Sequence, residues 1–373
     1  MKKIFTVLVL LLAVSTMFFV VGCKKEEKGT VKIAVVGPHT GDLASYGIPT
    51  IKAAELVVAD WNANGGVLGR QIELVIEDDV CKPEVAANSA AKVVGEGVVA
   101  VIGHICSGAT KSAMGIYNEA NIPAISPSAT NPPLTQSGDY PNFFRTIASD
   151  DAQAATDAEF IAKTLGLKKV AVLHDKADYG KGFADFTVEA LKGLGVETVL
   201  YEGITAGAVD YSAILTKIAN SDAEAIVFGG YHPEASKLVQ QMTQMGLDIP
   251  FVSDDGVKDD TFIKVAGEYA EGVYASGPMD TSANPMSQKA TADHKAKYGE
   301  DPGAFFINAY AATIALLNAI EKADSTDGLE IMKALRSNYV DTPLGSISFD
   351  DKGDAIGVGF AVYQVQNGAY VEL

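Results

Sequence analysis

Two stretches of this chain combine residue types that could hold a small anion. Val101-Ile-Gly-His-Ile-Cys-Ser-Gly-Ala-Thr110 and Ile125-Ser-Pro-Ser-Ala-Thr130 are apolar runs that stop abruptly in small, hydroxyl-bearing residues. The first passes into a segment with helical patterning, 109–120. A helix start leaves backbone N–H groups without intrahelical acceptors, and a neighbouring hydroxyl adds a further donor. A carboxylate suits such a corner. Ser107 equally reads as a plain helix cap, a role in which serine is favoured.

The other places where apolar runs end carry a complementary set. Gly41-Asp-Leu-Ala-Ser-Tyr-Gly47 brings Tyr46, His174-Asp-Lys-Ala-Asp-Tyr-Gly180 brings Tyr179, and Gly229-Gly-Tyr-His-Pro233 brings Tyr231. Ser253-Asp-Asp-Gly256 brings two acids. Hydroxyls thus gather in the first half of the chain, tyrosines and acids in the second. A cleft between the two halves would offer a carboxylate site, an ammonium site and an aromatic wall, an inventory that fits an amino acid. Each residue also has an ordinary explanation: tyrosines pack at half-buried positions, and Asp-Asp-Gly forms turns. Nothing here points to catalysis. The five histidines (39, 104, 174, 232 and 294) lack metal-ligand spacing, and no Gly-x-Ser-x-Gly elbow is present. The expectation is a binding protein and not an enzyme, with no metal and no cofactor.

The elements that must position these residues follow from periodicity. Short β-branched runs at 31–36, 72–76, 98–102 and 124–125 alternate with helical patterns at 49–62, 83–94 and 109–120. After the proline-rich passage Asn131-Pro-Pro133, the alternation restarts. Strands are expected at 170–173, 198–201, 225–228, 251–252 and 272–275, helices at 150–165, 181–194, 211–219 and 233–245. Helices at 284–298, 302–323 and 329–337 follow, and 347–349 with 360–366 reads as a closing hairpin around Asp351-Lys-Gly-Asp354. Strands alternating with helices of 10 to 15 residues mean βαβ units around parallel sheets. In such sheets ligands bind beyond the carboxyl ends of the strands, where the unusual residues sit.

A length of 373 residues suggests two lobes, and a net charge of −18 repels nucleic acid and anionic lipid. Residues 1–22 read as a secretory signal: Met1-Lys-Lys, then a long apolar run. It ends in Val20-Val-Gly-Cys23, which resembles a lipobox, so cleavage would leave Cys23 lipidated and 23–29 as a tether. Cys81 and Cys106 remain, an even pair in an oxidising compartment. Either they stay as two buried thiols or they bond; a bond would close a loop of about 25 residues and contribute about 3 kcal/mol.

Several motifs together resemble one family. Ala34-Val-Val-Gly37, Ser45-Tyr-Gly47, Asp78-Asp-Val-Cys81, Ile102-Gly-His-Ile-Cys-Ser107, Ser126-Pro-Ser-Ala-Thr130, Gly203-Ile-Thr-Ala-Gly207 and Gly229-Gly-Tyr-His-Pro-Glu234 look like those of the branched-chain amino acid binding proteins of ABC importers. The resemblance covers the chain from about Val31 to its end. It implies a type I periplasmic binding protein fold: α/β, two Rossmann-like lobes with central parallel sheets flanked by helices, joined by a multi-strand hinge. Lobe 1 would comprise 30–148 and 278–345, and lobe 2 would comprise 149–277 and 346–373, with hinge crossings near 146–149, near 276–278 and after 343.

Residue by residue, it implies that Ser107 and Thr130 hold a ligand carboxylate, and that the Ser128 carbonyl and Thr130 hydroxyl help hold an ammonium. Tyr46, Ile105, Cys106, Tyr179, Tyr231 and Phe305 would surround the ligand's body, and Cys81–Cys106 would be a disulfide. Two positions depart from the pattern. Where the family often has a glutamate in a Pro-Glu-Gly turn, this chain has Asp255, one methylene shorter, and Ser128 carries a hydroxyl where the family usually has none. The implied partners are an aliphatic L-amino acid (Leu, Ile or Val) and an ABC permease. The implied setting is the periplasm or cell surface, as a monomer reaching the membrane only through its lipid anchor. The competing expectation is a sensor or importer component for another small carboxylate or amide.

Overall fold

A computed structural model describes residues 29–373. The expected signal, lipobox and most of the tether lie outside the described residues. Strand β1 (Val31–Gly37) sits between β2 (Ile72–Asp78) and β3 (Ala100–Gly103), and β4 (Ala124–Ser126) and β5 (Phe143–Arg145) complete a parallel sheet of order β2-β1-β3-β4-β5. Period-two alternation sends Val31, Ile33 and Val35 into one core and Ala34 and Val36 into the core on the opposite face. Both faces are covered by helices, which is why these strands read as near-continuous apolar runs.

The second sheet repeats the logic. Strands β6 (Lys169–His174), β7 (Glu197–Gly203), β8 (Ala225–Gly229), β9 (Phe251–Ser253) and β10 (Tyr274–Pro278) are parallel. Antiparallel β14 (Phe360–Gln366) and β15 (Ala369–Glu372) extend the sheet beyond β10. The order β15-β14-β10-β9-β8-β6-β7 reverses direction at β6/β8, as the first sheet does at β1/β3. These are the two switch points beyond whose carboxyl ends a crevice opens.

Several boundaries differ from the sequence reading. Helix α1 runs Ala44–Ala63, so Pro49 lies inside it and does not start it. Helix α2 spans Pro83–Gly95, and α3 begins at Ser107 and ends at Glu119; Cys106 occupies the cap position, and Ser107 is helical. The expected closing hairpin is not one. Strand β12 (Gly345–Phe349) pairs with β11 (Val340–Thr342) and β13 (Ala355–Ile356), while β14 joins the second sheet. Ile347 and Phe349 pack in the core of the first sheet, so the chain's third passage between the halves falls between Asp350 and Phe360 and not at 345/346. Among the described residues, no helix is long and apolar enough to cross a membrane.

Candidate functional site

A narrow internal cavity lies where the two switch points face each other. Tyr46 comes from α1, Ile105 from the loop after β3, Ser107 from the start of α3, and Ser128 from the loop after β4. From the second half come Tyr179, Tyr231, Asp255 and Gly256, and Phe305 enters just ahead of the helix Phe306–Ala323. The Phe305 backbone has φ 59°, a left-handed turn that directs the following helix. Cys106 and Thr130, also anticipated from the sequence, are buried beside this cavity without lining it. Cys106 instead borders an outer cleft together with Cys81, to which it is disulfide-bonded across 25 positions of chain.

One end of the cavity is rich in donors. Thr110 N–H bonds the Cys106 carbonyl, so the amides of the three residues before it, at the start of α3, have no helical acceptor. The Ser107 hydroxyl does not cap its own helix; it accepts from the Asn131 N–H at 3.3 Å. The Thr130 hydroxyl is fully buried and faces the Asp150 carboxyl. Ser128 donates to the Ile105 carbonyl at 3.0 Å, tying the two loops together.

The opposite end is acidic. Tyr179 donates to Asp255 Oδ1 at 2.5 Å and accepts from the Gly256 N–H at 3.0 Å. Burial pushes the Asp255 carboxyl up to about 6, while the Tyr179 hydrogen bond pulls it down. Burial pushes Asp150 up to about 8 and the neighbouring Asp254 well above the usual carboxylate range, with repulsion from Asp255 adding to the second. Asp150 lies between the two ends: its N–H bonds the Thr130 carbonyl at 3.0 Å, the Thr130 hydroxyl pulls its carboxyl down and Asp255 pushes it up. Between the ends lies an aromatic wall: Tyr46 stands 6.0 Å from Tyr231 and 5.7 Å from Phe305, and Tyr179 stands 5.1 Å from Tyr231, between ring centroids.

The halves touch across this space. Tyr46 donates to the Gly256 carbonyl at 2.5 Å, Asn131 donates to the Asp178 carbonyl at 2.7 Å, and Lys111 pairs with Asp178 at 2.9 Å. Gly256 is required by close approach: a Cβ there would lie 2.4 Å from the Gly230 carbonyl oxygen and 2.9 Å from the Tyr179 ring.

Comparison with known proteins agrees with this architecture. Residues 30–369 match the family described as periplasmic binding protein. The chain belongs to that family. It is 38% identical to the leucine-, isoleucine-, valine-, threonine-, and alanine-binding protein of Pseudomonas aeruginosa over 90% of both chains. It is 37% identical to the Leu/Ile/Val-binding protein of Escherichia coli K12, over 89% of this chain and 90% of that one. The crystal structure of a leucine binding protein from Thermotoga maritima superposes with a TM-score of 0.87 at 31% identity, over 92% of this chain and 98% of the other. That of a Streptococcus pneumoniae branched-chain amino acid transporter binding protein in complex with isoleucine gives 0.82 at 32% identity, over 92% and 100%. The relatives are binding proteins and not enzymes.

In this periplasmic binding protein, sequence reasoning missed the residue that shapes the 129–131 loop. Arg145, the last residue of β5, is fully buried. It donates through Nη1 to the carbonyls of Thr130 at 2.6 Å and Asn131 at 3.2 Å, and through Nη2 to Thr135 Oγ1 at 2.7 Å. Its Nε pairs with Asp354 at 2.5 Å. His104, at the end of β3, turns away from the cavity to bond Asp79 at 2.6 Å and Tyr117 at 2.9 Å, a structural role.

Proposed function

We propose that this protein captures branched-chain L-amino acids (leucine, isoleucine or valine) between its two halves and delivers them to an ABC importer. The observation that carries this reading is the cavity's polarity: unpaired donors at the α3 end, a buried carboxylate at the Asp255 end, and Tyr46, Ile105, Tyr231 and Phe305 between. A zwitterion taken out of water needs a charge-assisted partner at each end, because an unpaired buried charge costs several kcal/mol. In this reading Ser107, Thr130 and the first amides of α3 take the carboxylate. Asp255, the Ser128 carbonyl and the Thr130 hydroxyl take the ammonium. The names of the relatives from P. aeruginosa, E. coli and T. maritima support the ligand class.

Since neither half holds both sets, ligand favours the closed arrangement and opening occurs at the three passages of the chain, near 146–149, 276–278 and 350–359. This is the hinge closure for which periplasmic binding proteins are the handiest example. The tyrosine and phenylalanine wall separates side chains by only about 1–3 kcal/mol per methylene, so discrimination among the three amino acids is modest. The signal-like start and Cys23 support an extracytoplasmic, lipid-tethered protein.

Thermal unfolding against a panel of amino acids, amides and aromatic acids tests the reading. A ligand at about a thousand times its Kd adds about 4 kcal/mol of stability. A shift with leucine, isoleucine or valine, and none with amino-free acids, is the expected result. A shift with amides or aromatic acids alone would overturn it.

A further inference from the structure

Behind Asp255, away from the cavity, stands a buried polar chain that the cavity itself does not use. Gln153 and Asp157 lie on the helix Asp150–Glu159, and Ser276 lies on β10. All three are fully buried. With its amide oxygen toward β10, Gln153 accepts from the Asp255 N–H at 2.8 Å and from Ser276 Oγ at 2.9 Å, and donates to Asp255 Oδ1 at 3.2 Å. The reverse orientation would set the amide NH2 against the Asp255 N–H, donor against donor, so the first is adopted. Gln153 therefore grips Asp255 at both backbone and carboxylate.

Ser276 Oγ also lies 3.0 Å from Asp157 Oδ2. The serine has one hydrogen and three acceptors within reach: the Gln153 oxygen, Asp157 Oδ2 and, farther off at 3.4 Å, the Ser253 carbonyl. With an ionised Asp157, Ser276 would give that hydrogen to the carboxylate, and its oxygen would face the Gln153 oxygen at 2.9 Å with no hydrogen between them. A protonated Asp157 donates to Ser276 Oγ, Ser276 donates to the Gln153 oxygen, and the Gln153 NH2 is left facing Asp255. Burial, which pushes Asp157 well above the usual carboxylate range, fits that direction. The other charged or titratable groups facing Asp255 are Tyr179, Tyr231, Asp150, Asp254 and Lys258, of which Tyr179 and Lys258 favour its ionised form, as the Gln153 hydrogen bond also does.

We propose that Gln153 is a positioning residue that sets the preference for a ligand amino group, holding the short Asp255 side chain in one orientation through a hydrogen-bond chain that starts at a neutral Asp157 and passes through Ser276. This rests on the assignment of Asp255 as ammonium partner. It also gives an aspartate, one methylene shorter than glutamate, a fixed place from which to work.

The test is calorimetric titration of the full chain with leucine and with 4-methylpentanoate, which is leucine without its amino group, across pH 5 to 8. In Gln153→Leu, leucine affinity falls about 10- to 100-fold while 4-methylpentanoate binding is unchanged. The pH below which leucine affinity declines also moves upward, because Asp255 has lost a donor. Ser276→Ala, which removes only a hydroxyl, shifts both readouts in the same direction by less. Asp157→Asn leaves leucine affinity within about threefold, since its amide N–H replaces the acid O–H toward Ser276. Equal losses for both ligands in Gln153→Leu, or an unmoved pH limb, would mean a merely structural glutamine and overturn the inference alone. So would an Asp157→Asn protein as defective as Asp255→Asn. A wild-type chain that binds no aliphatic amino acid would overturn the amino-acid reading and this inference together.

Discussion

Asp255 carries its charge where solvent cannot help it. Burial lifts its carboxyl to about 6, so at neutral pH it is mostly ionised and its electrostatic demand falls on Tyr179, on Gln153 and on whatever occupies the cavity. Asp255→Ala should therefore weaken leucine binding by about 2–5 kcal/mol, 30-fold or more. The wild-type affinity should be level above about pH 6 and fall below it, approaching tenfold per unit, as binding has to expel a proton from Asp255. Arg145 makes a second residue-scale prediction. Arg145→Met leaves the Thr130 and Asn131 carbonyls and Asp354 without their cation. A loss of about 3 kcal/mol or more in denaturant unfolding is expected. Asp255 was legible because an acid pair before glycine at a strand end is visible in one dimension. Arg145 was not: Asp354 lies 209 positions away, and a three-residue strand carries no readable period.

The elements show the same division between local and distant causes. Strand cores such as Ala34-Val-Val and Ala225-Ile-Val-Phe were plain from composition, because sheets covered on both faces demand unbroken apolar runs. Helix starts were less plain. Proline at 49 reads as a first-turn residue, yet α1 begins at Ala44, which brings Tyr46 onto the helix and into the cavity. The Ser45 carbonyl is left without a helical donor, a local cost that the position of Tyr46 requires. The β12/β14 misassignment has a similar origin: a glycine-containing turn at 351–354 looks like a hairpin, but β14 finds its partner in β10, about 85 residues earlier in the chain. The Cys81–Cys106 bond ties the loop after β2 to the start of α3, next to Ser107. Replacing both cysteines by serine should cost about 3 kcal/mol of stability, measured by chemical unfolding. It should also raise the Kd for leucine, since the α3 amides lose their fixed height.

At the scale of the molecule, the surface and the interior carry negative charge for different ends. Much of the excess behind the net charge of −18 lies on exposed carboxylates, some of which, such as Asp210 and Glu224, hydrogen bonds hold below the usual range. The interior set does the reverse. In the closed form, burial holds Asp255 at about 6, Asp175 at about 7 and Asp150 at about 8, against about 4 in an unfolded chain. Between pH 4 and 8 the folded protein thus retains protons that the unfolded chain has released. That stability is present in full below about pH 4 and is lost as pH rises through 6 to 8. The depressed surface acids titrate below this window, but burial lowers His39, His174, His232 and His294, which opposes the trend below about pH 6.5 and leaves it unopposed from there to pH 8. A ligand ammonium beside Asp255 acts in the other direction, stabilising the ionised carboxylate that high pH produces. Two outcomes are expected from thermal unfolding. The ligand-free protein should melt lower at pH 8 than at pH 6.5, each unit of lifted pKa being worth about 1.4 kcal/mol and about 2 °C in a chain of this size. The increment given by saturating leucine should be larger at pH 8 than at pH 5. General surface repulsion would also lower stability at high pH, and Asp150→Asn separates the two. A single surface charge would change the slope little, whereas a buried neutral amide at 150 should flatten it visibly. A slope identical to wild type would mean that Asp150 is already ionised in the closed form and that a positive group reaches it.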